Sequence, residues 1–251
     1  MKRFFTLLLS VAALALSPRA FAGPPFLADD PEPVEYQHWE VYIFSAATRV
    51  DGDTGGVLPG VEVNYGVVPD VQLHIVAPLA FDKPSGSGMR NGLGDTELGV
   101  KYRFLQEDER GWRPMVGVFP LVEVPSGDAG RGLGAGRPRI YLPVWLQKSF
   151  GKWLTYGGGG YWINPGPGNR NHWFAGWLLQ RQITASFALG GELFHQTPDT
   201  IGGKESTGYN VGGVYDFSEN HHLLFSVGSG LQNAGTTNSF SYYLAFQWTL
   251  P

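Results

Sequence analysis

The sequence predicts an all-β chain: a transmembrane, antiparallel, up-and-down β-barrel of about twelve strands. Three observations carry that expectation. Apolar residues recur at every second position over most of the chain, which is the period of a strand. After residue 22 no window is apolar enough to cross a bilayer as a helix, which leaves a barrel open because alternating strands keep mean hydropathy low. The connections between the alternating segments are short and long in turn, as in barrels with tight periplasmic turns and longer external loops.

Residues 1–22 read as a secretory signal peptide. Lys2 and Arg3 give a basic start, Phe4 to Leu16 a short apolar run, and Ala20, Phe21 and Ala22 a small-x-small cleavage pattern. The run is too short for a membrane helix, which needs about 20 residues. Segment 23–36 holds four prolines and four acids, so it cannot form a strand; it is expected to stay irregular at the periplasmic mouth. Residues 37–251 then form the barrel.

The clearest strand lies near 95–105. Thr96, Leu98, Val100, Tyr102 and Phe104 share one face, and Glu97, Gly99, Lys101 and Arg103 the other. The last strand places Phe240, Tyr242, Leu244, Phe246 and Trp248 in phase, and the strand near 207–217 does the same with Tyr209, Val211, Gly213, Tyr215 and Phe217. The same reading gives strands near 38–48, 57–66, 71–81, 95–105, 112–124, 138–149, 153–163, 171–180, 184–195, 207–217, 221–231 and 238–249. The count is even, as bacterial single-chain barrels require. Pro114, Pro120 and Pro143 fall inside the fifth and sixth strands and mark a bulge or bend.

Short turns are expected at 67–70, 106–111, 150–152, 181–183 and 218–220, and long loops at 49–56, 82–94, 125–137, 164–170, 196–206 and 232–237. Phe104, Trp112, Phe150, Trp153, Phe217 and Trp248 bracket the short turns, consistent with an aromatic girdle at a lipid–water boundary.

The chain has no cysteine, which excludes disulfides, thiolate metal sites and a lipoprotein anchor. Beyond residue 22 it carries 15 basic and 22 acidic residues, a balance that argues against nucleic acid as a partner.

Three stretches carry a family resemblance: GLGDTELGVKYRF at 92–104, GPPFLADDPEPV at 23–34, and QKSFGKW at 147–153 followed by YGGGGY at 156–161. Together they resemble a family of outer-membrane β-barrel transporters labelled "MetA-pathway of phenol degradation". The resemblance spans most of the chain beyond the signal. It implies an outer-membrane channel linked to uptake of aromatic or hydrophobic compounds, and no catalytic residues carry across. The C-terminus resembles the assembly signal read by the barrel-assembly machinery, but departs from it in ending on Leu250 and Pro251 rather than an aromatic.

With the apolar parity fixed, Glu62, His74, Glu97, Lys101, Arg103, Arg113, Glu123, Arg139, Glu192 and Asp216 are the expected pore-lining residues. Charges of both signs either form a cross-lumen network or line a constriction that screens solutes. Phe119, Tyr141 and Tyr243 face the same way. The glycine-rich stretch 126–137 lacks the Lys-Ser/Thr ending of a phosphate loop and reads as a loop that is mobile or folded inward. His221 and His222 are adjacent on a strand and point to opposite faces, so they cannot chelate together. His74, His172, His195 and Ser226 would meet only by accident of register. The reading is an outer-membrane channel for small solutes, with membrane lipid and a solute as partners, no cofactor, no metal and no enzymatic activity. The alternatives are a structural or adhesive barrel with a plugged lumen, or a lipid-modifying enzyme.

Overall fold

The computed structural model describes residues 24–108 and 111–251; the expected signal peptide lies outside the described residues. Twelve antiparallel strands close into one barrel: β1 (Trp39–Val50), β2 (Asp53–Val68), β3 (Val71–Lys83), β4 (Arg90–Leu93 continued by Thr96–Leu105), β5 (Met115–Val118 continued by Leu121–Val124), β6 (Arg139–Phe150), β7 (Trp153–Ile163), β8 (His172–Thr184), β9 (Phe187–Gln196), β10 (Ser206–Ser218), β11 (His221–Gln232) and β12 (Phe240–Leu250). Each strand pairs with its neighbours in sequence. The first and last complete the ring, in register from Trp39 opposite Leu250 to Arg49 opposite Phe240. Closure removes every sheet edge, which a bilayer interior demands because it offers no water to an unpaired backbone group.

The alternation resolves as expected for lipid outside and a filled lumen inside. On β4 the face carrying Leu98, Val100, Tyr102 and Phe104 is 42–52% exposed, while Lys101 beside them is 4% exposed. A soluble sandwich would bury the apolar face; here the polar face is the buried one. Trp112, Phe150, Trp153 and Phe217 stand exposed at the short-turn end, with Trp112 against Phe150 and Phe217 against Phe246, as a girdle would.

Several local expectations are corrected. The loop expected at 49–56 does not exist: β1 and β2 run on to a two-residue turn at Asp51 and Gly52, both at positive φ, as a type I′ hairpin requires. The turn expected at 181–183 falls instead at Ala185 and Ser186, because β8 continues to Thr184. Arg90–Leu93 pairs with the end of β3, so the loop there shrinks to 84–89. Pro120 splits β5 but keeps its inward phase, since Met115, Gly117 and Phe119 are buried before the break and Leu121 and Glu123 are partly buried after it. Pro143 interrupts nothing in β6. Among the described residues the two helical pieces, Ala129–Arg131 and Ala234–Thr237, are single turns in loops at the long-loop end.

Two segments enter the barrel. The loop after β5 folds inward over the mouth: the Asp95 carboxylate accepts N–H bonds from Gly127 (2.9 Å) and Ala135 (2.6 Å), and Leu133 is buried. At the opposite end, segment 24–38 is irregular, as its prolines dictate, but it does not stop at the mouth. It runs up the lumen, where Pro25, Phe26, Ala28, Asp30, Pro31, Pro33 and Val34 are buried. The reason is satisfaction of its backbone. The segment pairs with the wall backbone at its end, where Gln37 and His38 bond Gly66, and its remaining length finds acceptors and donors on the polar inner face. At Gly66 of β2 the chain passes so close that a Cβ there would lie 2.0 Å from the Glu35 carbonyl oxygen.

Candidate functional site

The lumen is the site. Its wall supplies a polar half and an aromatic half, and segment 24–38 lies between them.

On the polar half, β2, β3 and β4 bring inward-facing residues to one level. The His74 ring bonds Asn64 through Nδ1 (2.7 Å) and the Glu97 carboxylate through Nε2 (2.9 Å), while Asn64 Nδ2 donates to Glu62 (2.9 Å). Lys101 stands next to this chain. Its ammonium is 3.0 Å from Asp29, 3.6 Å from Asp30 and 5.0 Å from the centre of the Phe119 ring. The lysine therefore ties the inserted segment to the wall. Burial pushes the Asp30 carboxyl well above the usual carboxylate range, against the pull of Lys101, and burial raises Glu32 as well.

Across the lumen, Glu192 of β9 holds the segment from the other side. Its carboxylate accepts the backbone N–H groups of Leu27 (3.1 Å) and Ala28, and the Asn210 amide (2.6 Å). Ser226 of β11 donates to the Pro25 carbonyl (2.5 Å), Gln147 of β6 to Glu32 (3.1 Å), and the Val34 N–H donates to Gln72 of β3 (2.9 Å). Five strands thus grip one short stretch of chain.

The aromatic half comes from β5 to β9. Phe26 and Ala28 join a buried cluster with Phe119, Tyr141, Trp145, Tyr156, Phe174 and Phe194. Tyr141 stacks on Trp162 with ring centres 4.6 Å apart, and the Arg139 guanidinium lies 5.8 Å from the Trp162 ring. The Tyr141 hydroxyl and the Trp145 indole nitrogen are buried without a hydrogen-bond partner. Two cavities flank the inserted segment. One, about 560 Å³, opens at the short-turn end and is lined by Asp29, Tyr42, Glu62, His74, Glu97 and Lys101 among others. The second, about 590 Å³, opens at the loop end and is lined by Ala47, Phe174, Phe194, Asn210, Ser226 and Tyr243 among others. Phe26 and Leu27 line both, so the inserted segment is the partition.

Of the residues expected to line the pore, Glu62, His74, Glu97, Lys101 and Glu192 sit in this network. Glu123 and Arg139 pair with each other nearer the loop end, and line a further cavity beside the inward loop. Asp216 lies inside the short-turn end, bonded to His222 (2.7 Å). Arg103 pairs with Asp70 (2.6 Å) at a short turn. Arg113 is a correction: it stands in the turn before β5, exposed, with its guanidinium on the Gln106 carbonyl, and does not line the lumen wall. The possible enzyme residues do not converge. Ser226 is committed to Pro25, His195 to Thr207 (2.8 Å) and His172 to the Arg170 carbonyl (3.3 Å). His221 and His222 do point apart, towards Ser218 and Asp216. Sequence reasoning missed Asp29, Asp30 and Glu192 as one assembly. The signal available was an acidic pair following Phe26 in a proline-rich stretch that no strand could absorb.

The sequence profile of a family described as "Putative MetA-pathway of phenol degradation" matches residues 40–248. Among solved structures, an outer membrane channel of Pseudomonas putida F1 is similar at 19% identity and a TM-score of 0.69, with 87% of this chain and 97% of that one covered. The NanC porin is similar at 10% identity and a TM-score of 0.58, covering 84% and 99%. The KdgM porin, solved with disordered oligogalacturonate, is similar at 10% identity and a TM-score of 0.55, covering 82% and 98%. At these identities the likeness shows the fold. No functionally curated protein matches the chain.

Proposed function

This chain belongs to the family described as the MetA-pathway of phenol degradation, as an outer-membrane β-barrel, and from that premise we propose that it is a channel for passive or facilitated uptake of small solutes. The observation that carries the reading is the lumen: two cavities meet at a segment that is hydrogen-bonded into place rather than built into the wall. Wall side chains cannot leave, but an inserted segment can. The path runs past Glu62, His74, Glu97 and Lys101, and past the Arg139–Glu123 pair nearer the loops. The structural relatives, which are channels and porins, support this reading. Aromatic or hydrophobic compounds are the solute class, supported by the family's description and by the aromatic half of the lumen. Export by the 1–22 signal and insertion by the barrel-assembly machinery complete the proposal.

Conductance in planar bilayers tests it. We expect discrete single-channel steps whose ion selectivity shifts on Lys101→Glu. The inserted segment also favours a second reading, a structural or adhesive barrel with a permanently plugged lumen. Deleting residues 24–34 separates the two, with migration of unboiled protein on a gel confirming a folded barrel. A channel conducts with the segment present and conducts more without it. A plugged barrel is silent until the segment is removed.

A further inference from the structure

We propose that the lumen contains a binding site for an aromatic monocarboxylate, and that residues 26–30 fill this site from within the chain. The proposal rests on the channel reading for its role in uptake, but its geometry stands apart from it.

The segment presents, in order, an aromatic ring at Phe26 and carboxylates at Asp29 and Asp30. The wall receives both kinds of group. Phe26 packs into the aromatic cluster that contains Phe119, Tyr141 and Trp145. The two carboxylates converge on the Lys101 ammonium, which itself lies over the Phe119 ring at 5.0 Å. Ring pocket and cation are therefore contiguous through Phe119. A free aryl carboxylate offers the same two features without ordering a length of chain.

The segment satisfies the site incompletely. The Tyr141 hydroxyl and Trp145 indole N–H, on residues 95% and 98% buried, have no acceptor. Buried donors are normally paired, and leaving two unpaired is unfavourable. Phe26 has no polar atom on its ring to accept from them. A ligand whose ring carries or adjoins oxygen atoms does, which is why the site discriminates a ring with an acceptor from a plain hydrocarbon. Glu62 and Glu97 line the same cavity as Lys101, so a second negative charge on the ligand would be repelled. Entry requires the segment to withdraw, because with it in place the two donors are sealed.

Intrinsic tryptophan fluorescence of the detergent-solubilised protein, titrated with benzoate, tests the site. Cyclohexanecarboxylate, which has the charge without the aromatic ring, and benzyl alcohol, which has the aromatic ring without the charge, are the controls. We expect saturable benzoate binding, with both controls weaker by about tenfold or more. Phe26→Ala weakens the internal competitor and is expected to tighten benzoate binding by about tenfold, since apparent affinity rises with the fraction of molecules whose site is free. Tyr141→Phe is expected to weaken it by a factor of about three to ten. Lys101→Gln is expected to abolish the preference for benzoate over benzyl alcohol. Should it fail to fold, Phe26→Ala and Tyr141→Phe carry the test alone. Equal binding of benzoate and cyclohexanecarboxylate, or an unchanged or weaker affinity in Phe26→Ala, would overturn the proposal. A protein that conducts yet ignores benzoate loses this site and keeps its channel. One that binds benzoate without conducting loses the channel and keeps the site.

Discussion

Glu192→Gln is the sharpest probe of how the lumen is closed. Glu192 is 2% exposed, and three N–H donors face its carboxylate: Leu27, Ala28 and the Asn210 amide. Glutamine has nearly the same shape, but it replaces one accepting oxygen by an amino group. That group would meet a donor, and the formal charge that strengthens the remaining bonds disappears. A hydrogen bond to a charged group contributes about 1.5–3 kcal/mol. Losing one shifts the docking equilibrium of the segment by roughly 10- to 100-fold, at about 1.4 kcal/mol per decade. Hydrogen–deuterium exchange followed by mass spectrometry reads this directly, because the Leu27 and Ala28 amides are the ones released. Peptides covering 24–34 are expected to exchange about 10- to 100-fold faster in the variant, while strand peptides stay unchanged. Unaltered exchange at 24–34 would refute the idea that Glu192 anchors the segment. Equal acceleration throughout the strands would mean that the barrel, and not the segment, had been loosened.

Other predictions follow from the same contacts. Val100→Lys places a charge on the outward face near mid-strand and is expected to cost about 2–4 kcal/mol in denaturant unfolding from lipid vesicles, whereas Lys101→Val next to it is expected to free the inserted segment to protease while the barrel stays intact. Asp95→Ala strips the acceptor from Gly127 and Ala135 at about 1–3 kcal/mol and is expected to expose the 125–138 loop to limited proteolysis. Gly66→Ala would drive a methyl group into the Glu35 backbone and is expected to raise conductance by displacing the segment, without loss of the heat-modifiable barrel. The pH dependence has a definite sign. Asp30 and Glu32 have raised pKa values when docked, by burial, against the opposing attraction of Lys101, and would return to ordinary values on release. Docking therefore takes up protons, and acid favours the docked, closed state. Conductance is expected to fall as pH is lowered from 7 towards 5, and Asp30→Asn with Glu32→Gln should flatten that profile.

Much of the architecture was written in local pattern. Period-2 alternation on β4, β10 and β12 decides which face meets lipid, because a strand places successive side chains on opposite sides whatever its neighbours do. The inward parity of Lys101 and Glu192 follows from it. Turn positions were harder to read. The Asp51-Gly52 hairpin hid within a stretch of Gly, Asp and Thr that reads as loop, and the end of β8 was extended by pairing with β9, which no single-strand pattern records. The proline-rich segment at 23–36 was legible as something that cannot be a strand. Its destination was not, since its hydrogen bonds run to Gln72, Gln147, Glu192 and Ser226, up to 201 residues away. The sequence alone determined a lipid-facing barrel with charged groups inside. Only the tertiary structure decided that this interior is divided by the chain's own N-terminal segment, because contacts between a segment without periodicity and a curved inner wall depend on closure of the ring, which turns those distant side chains into one lumen.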